Sequence, residues 1–330
     1  MRRLHFLGAL GAALVAPGRS FARDTDVDPS VLSQRPALRV LLGRGVARPV
    51  SSQEFLFNGR AYRGSFTQLG DGQIVNLVDI ESYLYSVVTR EMPPSWPVAA
   101  LQAQAICARS YVLQRSNPQR AYDVLPSEAD QVYRGLISET AASRTAVMAT
   151  TGDVLQLNGH FAAVAYSSCC GGRTESAGDA WGGHAPADLG GVTCGYCTDS
   201  PWYRWSRSIR LADLTSTFAS ELDAQVVQNL TIGGTDSSGR ARTFSLKTAV
   251  GSQEIQASHL RLRLGTRVLP SLLVHSISQP QADGTVLIEG GGLGHGVGLC
   301  QWGARGLARA GASALTILSW YFPGTTTAHE

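Results

Sequence analysis

The chain has 330 residues, 44% of them hydrophobic and 16% charged, with a formal charge of +3. That is a globular composition, with enough chain for one large or two modest folded units. The surplus charge lies in Arg2, Arg3 and Arg19. Without them basic and acidic residues are equal at 25 each, which excludes a basic nucleic-acid footprint.

Residues 1–22 read as a signal peptide. A basic start is followed by an apolar run from Leu4 to Ala16 and a small-residue cleavage site at Ser20-x-Ala22. The apolar run is too short to span a bilayer, so export to the periplasm or cell wall is expected, with no membrane anchor after cleavage. Residues 23–37 are polar and are expected to be disordered. Residues 38–327 are expected to fold as one intertwined α+β unit of short, mostly antiparallel strands with several helices.

The fold should begin with a strand at Leu38 to Leu42. Short strands follow from Phe55 to Leu77, with hairpin signals at Asn58-Gly59 and Asp71-Gly72. Tyr83, Leu84, Val87 and Val88 recur at helical spacing and predict a helix from Ser82 to Glu91, with Ser82 as its N-cap. Pro93 and Pro94 end it. Glu91 therefore falls in the last turn, at the negative end of the helix dipole. That position favours a protonated carboxyl, as does shielding by Met92, Trp96 and Pro97. Such a group suits general acid catalysis near neutral pH. A solvated helix-end glutamate is the plainer reading. Glu81 lies ten residues upstream, roughly 15 Å along a helix and on another side, so no carboxylate pair of the hydrolase type is visible.

A second helix is predicted from Val98 to Gln114. Its stripe of small residues (Ala99, Ala103, Ala105, Ala108) calls for close packing, and Arg109 is free to orient a carboxylate or bind an anion. Tyr122 to Gly135 is irregular, and Ser138 to Thr150 reads as a helix. Val154 to Leu157 and Ala162 to Tyr166 read as strands joined at Asn158-Gly159. Val226 to Leu287 reads as β segments with turns at Gly233-Gly234 and Ser238-Gly239, interrupted by a helix at Ala257 to Leu264.

Two glycine-rich stretches remain, 167–184 and 290–303. The second carries His295, Gln301 and Trp302, and its glycines allow close backbone approach to a ligand. It has no Walker lysine and no ribose acid, so a phosphate role is disfavoured. Six cysteines stand at 107, 169, 170, 194, 197 and 300. Cys194-x-x-Cys197 with Cys170 offers three soft ligands for structural zinc, and His184 or Cys169 is a candidate fourth. A disulfide is the competing reading in an exported chain. Cys107 reads as a small buried hydrophobe, and Cys300 as the same. A Cys/His nucleophile pair, Cys300 with His295 or Cys170 with His184, lacks an orienting third group.

The stretch Y-L-Y-S-V-V-T-R-E-M-P-P-S-W-P-V-A-A-L-Q-A-Q-A-I-C-A-R-S-Y resembles the signature of the SpoIID/LytB family, the stage II sporulation protein D family. So do D-Q-V-Y-R-G from Asp130, C-G-G-R-T-E-S from Cys170, G-H-G-V-G-L-C-Q-W-G-A from Gly294 and Y-F-P-G-T from Tyr321. The resemblance implies lytic transglycosylase cleavage of peptidoglycan glycan strands, stripped of stem peptides in the best-studied members. It implies Glu91 as the catalytic acid/base. It also implies Arg109, Gly171, Gly172, Thr174, His295 and Gln301 as substrate-contacting positions. Some relatives bind zinc through Cys and His, and Ser167 stands where many have His. Other relatives are amidase enhancers, so a non-catalytic glycan binder that assists a peptidoglycan amidase is the alternative.

Overall fold

The computed structural model describes residues 37–184 and 186–329. Residues 1–22, read above as a signal peptide, and all of the polar segment except Ala37 lie outside the described residues. The chain divides into two compact units. The first runs up to Tyr166 and resumes at Ala304, and the second is the continuous segment Ser167–Gly303. Among the described residues the chain is α+β, with eight α-helices and short strands whose ladders are antiparallel.

In the first unit, Leu38–Arg44 pairs with Gln73–Val78, which also pairs with Ser65–Gln68. Glu54–Phe57 and Arg60–Arg63 form a hairpin. Its turn residues Asn58 and Gly59 have φ of 47° and 78°, as a two-residue turn between twisted strands requires. Asn158 and Gly159 repeat this at φ 54° and 77°. There the second strand is His160–Phe161, not Ala162 to Tyr166.

Three helices carry the rest of this unit: α1 (Ile80–Glu91), α2 (Val98–Arg115) and α3 (Ala141–Met148). Helix α1 starts two residues before the predicted position. Asp79 is its N-cap and accepts from the Ser82 amide at 2.9 Å, so Ser82 is the residue being capped. The helix buries Tyr83, Leu84, Val87 and Val88, and ends where the Met92 amide donates to the Val88 carbonyl. The alanines of α2 are buried at 100, 103, 105 and 108. Their small side chains let α1, α3 and the helix Ala314–Tyr321 pack closely against α2. Helix α3 is shorter than the expected Ser138 to Thr150, because a reciprocal capping box between Thr140 and Ser143 sets its start.

In the second unit, Trp205–Arg210, Thr285–Gly290 and Val274–Ile277 form one sheet, with Thr285–Gly290 central. Asn229–Thr235, Ala241–Lys247 and Ser252–Gln256 form another. Phe218, Leu230, Phe244, Leu260 and Ile288 fill the core beneath them. The helix Ala257–Leu264 has the predicted bounds. Gly233-Gly234 is not a turn. The register shifts there inside the strand Asn229–Thr235, and a Cβ on Gly233 would collide with Thr243 and Glu254. No helix among the described residues is long and apolar enough to cross a membrane.

Candidate functional site

In the first unit, Glu91 is the last residue of α1 and is half-buried. Its Oε1 accepts the Val132 amide at 3.4 Å. Val132 belongs to the D-Q-V-Y stretch, which is itself anchored. Asp130 accepts from the Tyr111 hydroxyl at 2.9 Å and the Leu125 amide at 2.8 Å, and the buried Gln131 donates to the Ala108 carbonyl. The Tyr83 and Tyr166 phenols stand close enough for the Glu91 charge to act on them, although burial is the larger cause of their raised pKa. The acid thus sits at a helix terminus against a rigid polar wall.

Arg109 does not reach out to a ligand. It is 2% exposed, and its Nε and Nη2 grip the two oxygens of Glu81 at 2.8 and 2.6 Å. Nη1 donates to the Asp153 carbonyl at 2.9 Å. It ties α2 to α1 and to the strand Asp153–Leu157, and its buried side chain does not face solvent where a substrate contact was expected.

In the second unit, four buried cysteines converge: Cys170, Cys194, Cys197 and Cys300, with all four Sγ atoms within 4.8 Å of one another. This group can hold a metal ion. The Cys170 and Cys197 Sγ atoms are 3.7 Å apart. A tetrahedron of thiolates at a zinc–sulfur distance of about 2.3 Å has edges of about 3.8 Å. The fourth member is Cys300, which sequence reasoning read as a small hydrophobe or a partner of His295 and not as a metal ligand. His184 is exposed and is not part of the group. Cys169 borders the cluster through hydrogen bonds with Cys197 and Cys300. No disulfide joins any of the six cysteines. Cys300 is fully buried with its sulfur among three other thiols, which argues against an accessible Cys300/His295 nucleophile pair. Cys107 is buried, as expected of a small hydrophobe.

The glycine loops fold around this cluster. Gly171 is packed so closely that a Cβ would meet Leu273 and the Gly291–Gly292 backbone. The Gly172 carbonyl accepts the Cys194 amide at 2.9 Å, and Gly172 is half-buried at φ 121°. Thr174 is 1% exposed, and its hydroxyl accepts the Val192 amide at 2.7 Å. It braces the loop from inside, so a ligand contact through its side chain is not what this geometry provides. His295 is half-buried, with its ring 5.2 Å from that of Trp181. Its Nδ1 accepts the Val297 amide at 3.0 Å, so the neutral ring carries its proton on Nε2 as a donor. Gln301 is 5% exposed at the start of the helix Gln301–Arg309.

A family model described as Stage II sporulation protein (SpoIID) matches residues 68–157. A second, described as a domain of unknown function (DUF8618), matches residues 195–298. An uncharacterised protein of Brachyspira hyodysenteriae is 33% identical over 278 residues, covering 82% of this chain and 73% of that one. The stage II sporulation protein D of Bacillus subtilis is 26% identical over 272 residues, covering 77% and 75%. This chain belongs to the SpoIID family. The amidase enhancer of Bacillus subtilis is also similar, 30% identical over 290 residues, and the match covers 74% of this chain and 40% of that longer protein. In this SpoIID-family chain the first matched stretch contains Glu91, Arg109 and the D-Q-V-Y wall. The second contains Cys197 and His295. The loop carrying Cys170 and Thr174 falls between the two.

Proposed function

We propose that this SpoIID-family chain is an exported lytic transglycosylase that cleaves peptidoglycan glycan strands, with Glu91 as its one acid/base. The observation that carries this reading is the placement of Glu91. It ends α1, half out of water, with one oxygen held by the Val132 amide. In the proposed reaction the Glu91 carboxyl protonates the glycosidic oxygen as the bond to carbon one breaks. The carboxylate then takes the proton from the muramic acid hydroxyl on carbon six, whose oxygen closes onto carbon one as an anhydro ring. No water is consumed, so one carboxylate serves both steps. The second unit is assigned the task of holding glycan. Within this unit the Nε2–H of His295 is assigned to donate to a sugar hydroxyl, with Gln301 and the Gly171–Gly172 backbone beside it, and strands without stem peptides suit close approach to bare backbone.

The Cys170, Cys194, Cys197 and Cys300 thiolates are proposed to hold zinc. Four sulfur ligands make a closed, structural site, and bound zinc would supply a cross-link between the loops rather than a reactive water. Export rests on the leader read from residues 1–22.

A second reading follows from the similarity to an amidase enhancer. In it the chain binds glycan and stimulates a peptidoglycan amidase without cleaving the strand. One experiment separates the two. Denuded and intact peptidoglycan are incubated with the purified chain, alone and with an amidase. Anhydromuramyl ends formed by the chain alone support the transglycosylase. Amidase stimulation without such ends supports the enhancer.

A further inference from the structure

The two glycine loops of the second unit meet across a single buried cation. Arg240 is 1% exposed. Its Nη2 donates to the Cys170 carbonyl at 2.8 Å, and its Nη1 to the Arg173 carbonyl at 3.2 Å and the Ser238 hydroxyl at 2.9 Å. Nε faces Glu175 Oε2 at 3.3 Å. The guanidinium also lies flat against Gly296, where a Cβ would collide with it. Gly296 has φ of 83°, and its carbonyl accepts the Glu175 amide at 3.0 Å. One planar group therefore fixes the carbonyls of the first loop and the backbone of the second, one residue from His295.

Two carboxyls flank the guanidinium, and Asp179 also acts on the nearer one. Glu175 is 4% exposed, and it shares a hydrogen bond with the half-buried Asp236. Asp236 also accepts the Arg240 amide at 3.0 Å. One proton between the two carboxyls leaves one negative charge facing one guanidinium, which a buried site tolerates. An arginine is needed here because its two terminal nitrogens meet two loop carbonyls while its charge stands 3.3 Å from the Glu175 carboxyl. A lysine ammonium on a flexible stem cannot reproduce that fork.

We infer that Arg240, braced by Glu175, is a positioning residue that sets the pose of His295 relative to the Gly171–Gly172 backbone for glycan binding. This rests on the glycan-holding role proposed for the two loops. Arg240 touches no substrate. It acts through Gly296 and the Cys170 carbonyl.

The test uses the full chain as wild type, R240K and G296A. The first readout is the 15N signal pair of the His295 ring, which reports whether Nδ1 still accepts the Val297 amide. The second is affinity for denuded glycan. Circular dichroism and melting verify that each variant is folded. Both variants are expected to displace the His295 signals toward those of a free imidazole and to weaken glycan binding at least about tenfold, because displacement of about 1 Å is costly in a binding constellation. Should R240K not fold, G296A reads the same contact from the opposite side with the arginine in place. Wild-type His295 signals and wild-type affinity in a folded variant would overturn the inference. Displaced His295 signals in a chain whose wild type binds no glycan would retain the positioning role and reject the glycan reading instead.

Discussion

Arg109 grips Glu81, not Glu91. Both oxygens of Glu81 are within 2.8 Å of the guanidinium, and Glu81 stands ten residues before the acid on the same helix. The arginine in the most recognisable stretch of the chain is thus a clasp between α1 and α2. Arg109→Ala leaves a partly buried carboxylate without its partner and should cost about 3 kcal/mol of stability, at the low end for a broken buried pair because Glu81 keeps some contact with water. Urea unfolding gives the loss. Glycan binding per folded molecule should be unchanged. A large affinity loss in a fully folded variant would return Arg109 to the substrate.

The start of α1 makes a second prediction. Asp79 supplies the one side-chain cap on the helix that delivers Glu91. Asp79→Ala should destabilise the protein by about 1 kcal/mol, and Asp79→Asn by less. Ser82→Ala should be nearly silent, since only its amide is used. A thermal melt of the three variants checks the order.

Glu175 gives a pH dependence whose sign is fixed. Burial pushes its carboxyl up to about 9, and neighbouring Asp236 and Asp179 add to the push while Arg240 opposes it. The folded state therefore holds a proton that the unfolded chain releases above its ordinary value of 4.5. The corresponding stability is complete below pH 4.5 and is lost progressively as the pH rises through about 9. Asp236 works in the other direction. Burial pushes it up, but hydrogen bonds with Glu175, Ser238 and the Arg240 amide outweigh this and hold it below the usual carboxylate range, so its contribution is lost only in acid. Urea midpoints should fall between pH 6 and pH 9, and Glu175→Gln should flatten that fall. An unchanged slope in the variant would assign the decline to other groups.

The thiol cluster predicts one metal ion per chain. Metal analysis of protein purified without chelator should find zinc at unit stoichiometry. Cys300→Ser should weaken binding by well over tenfold, and His184→Ala should have no effect. Chelation should lower the melting temperature of the wild type. Zinc-free protein with two disulfides would identify the cluster as oxidised pairs.

Much of this was legible in the residues. The α2 alanines, the double proline after Met92 and the Asn-Gly turns are local signals, and local geometry obeyed them. The placement of Glu91 was legible for the same reason. Arg240 was not, because it is one of 27 arginines and its neighbours Asp236 and Ser238 read only as a turn. Its meaning comes from Cys170, Arg173 and Gly296, which lie more than 50 residues away. Cys300 was misread on the same ground, since thiol ligands are recognised by spacing and its partners end at Cys197. Arg109 and Thr174, expected at the substrate, have inward-facing side chains for a different reason. Both belong to motifs of the family, but a motif residue can be fixed by the fold it braces as well as by a ligand.

The most direct test of Glu91 is digestion of denuded peptidoglycan by wild type and Glu91→Gln, with mass analysis of the released ends. The glutamine keeps the shape of the side chain and removes the transferable proton. Wild type should yield anhydromuramyl ends, and the variant should lose at least about a hundredfold in rate while still binding glycan. Equal yield of those ends from a folded Glu91→Gln variant would contradict the account.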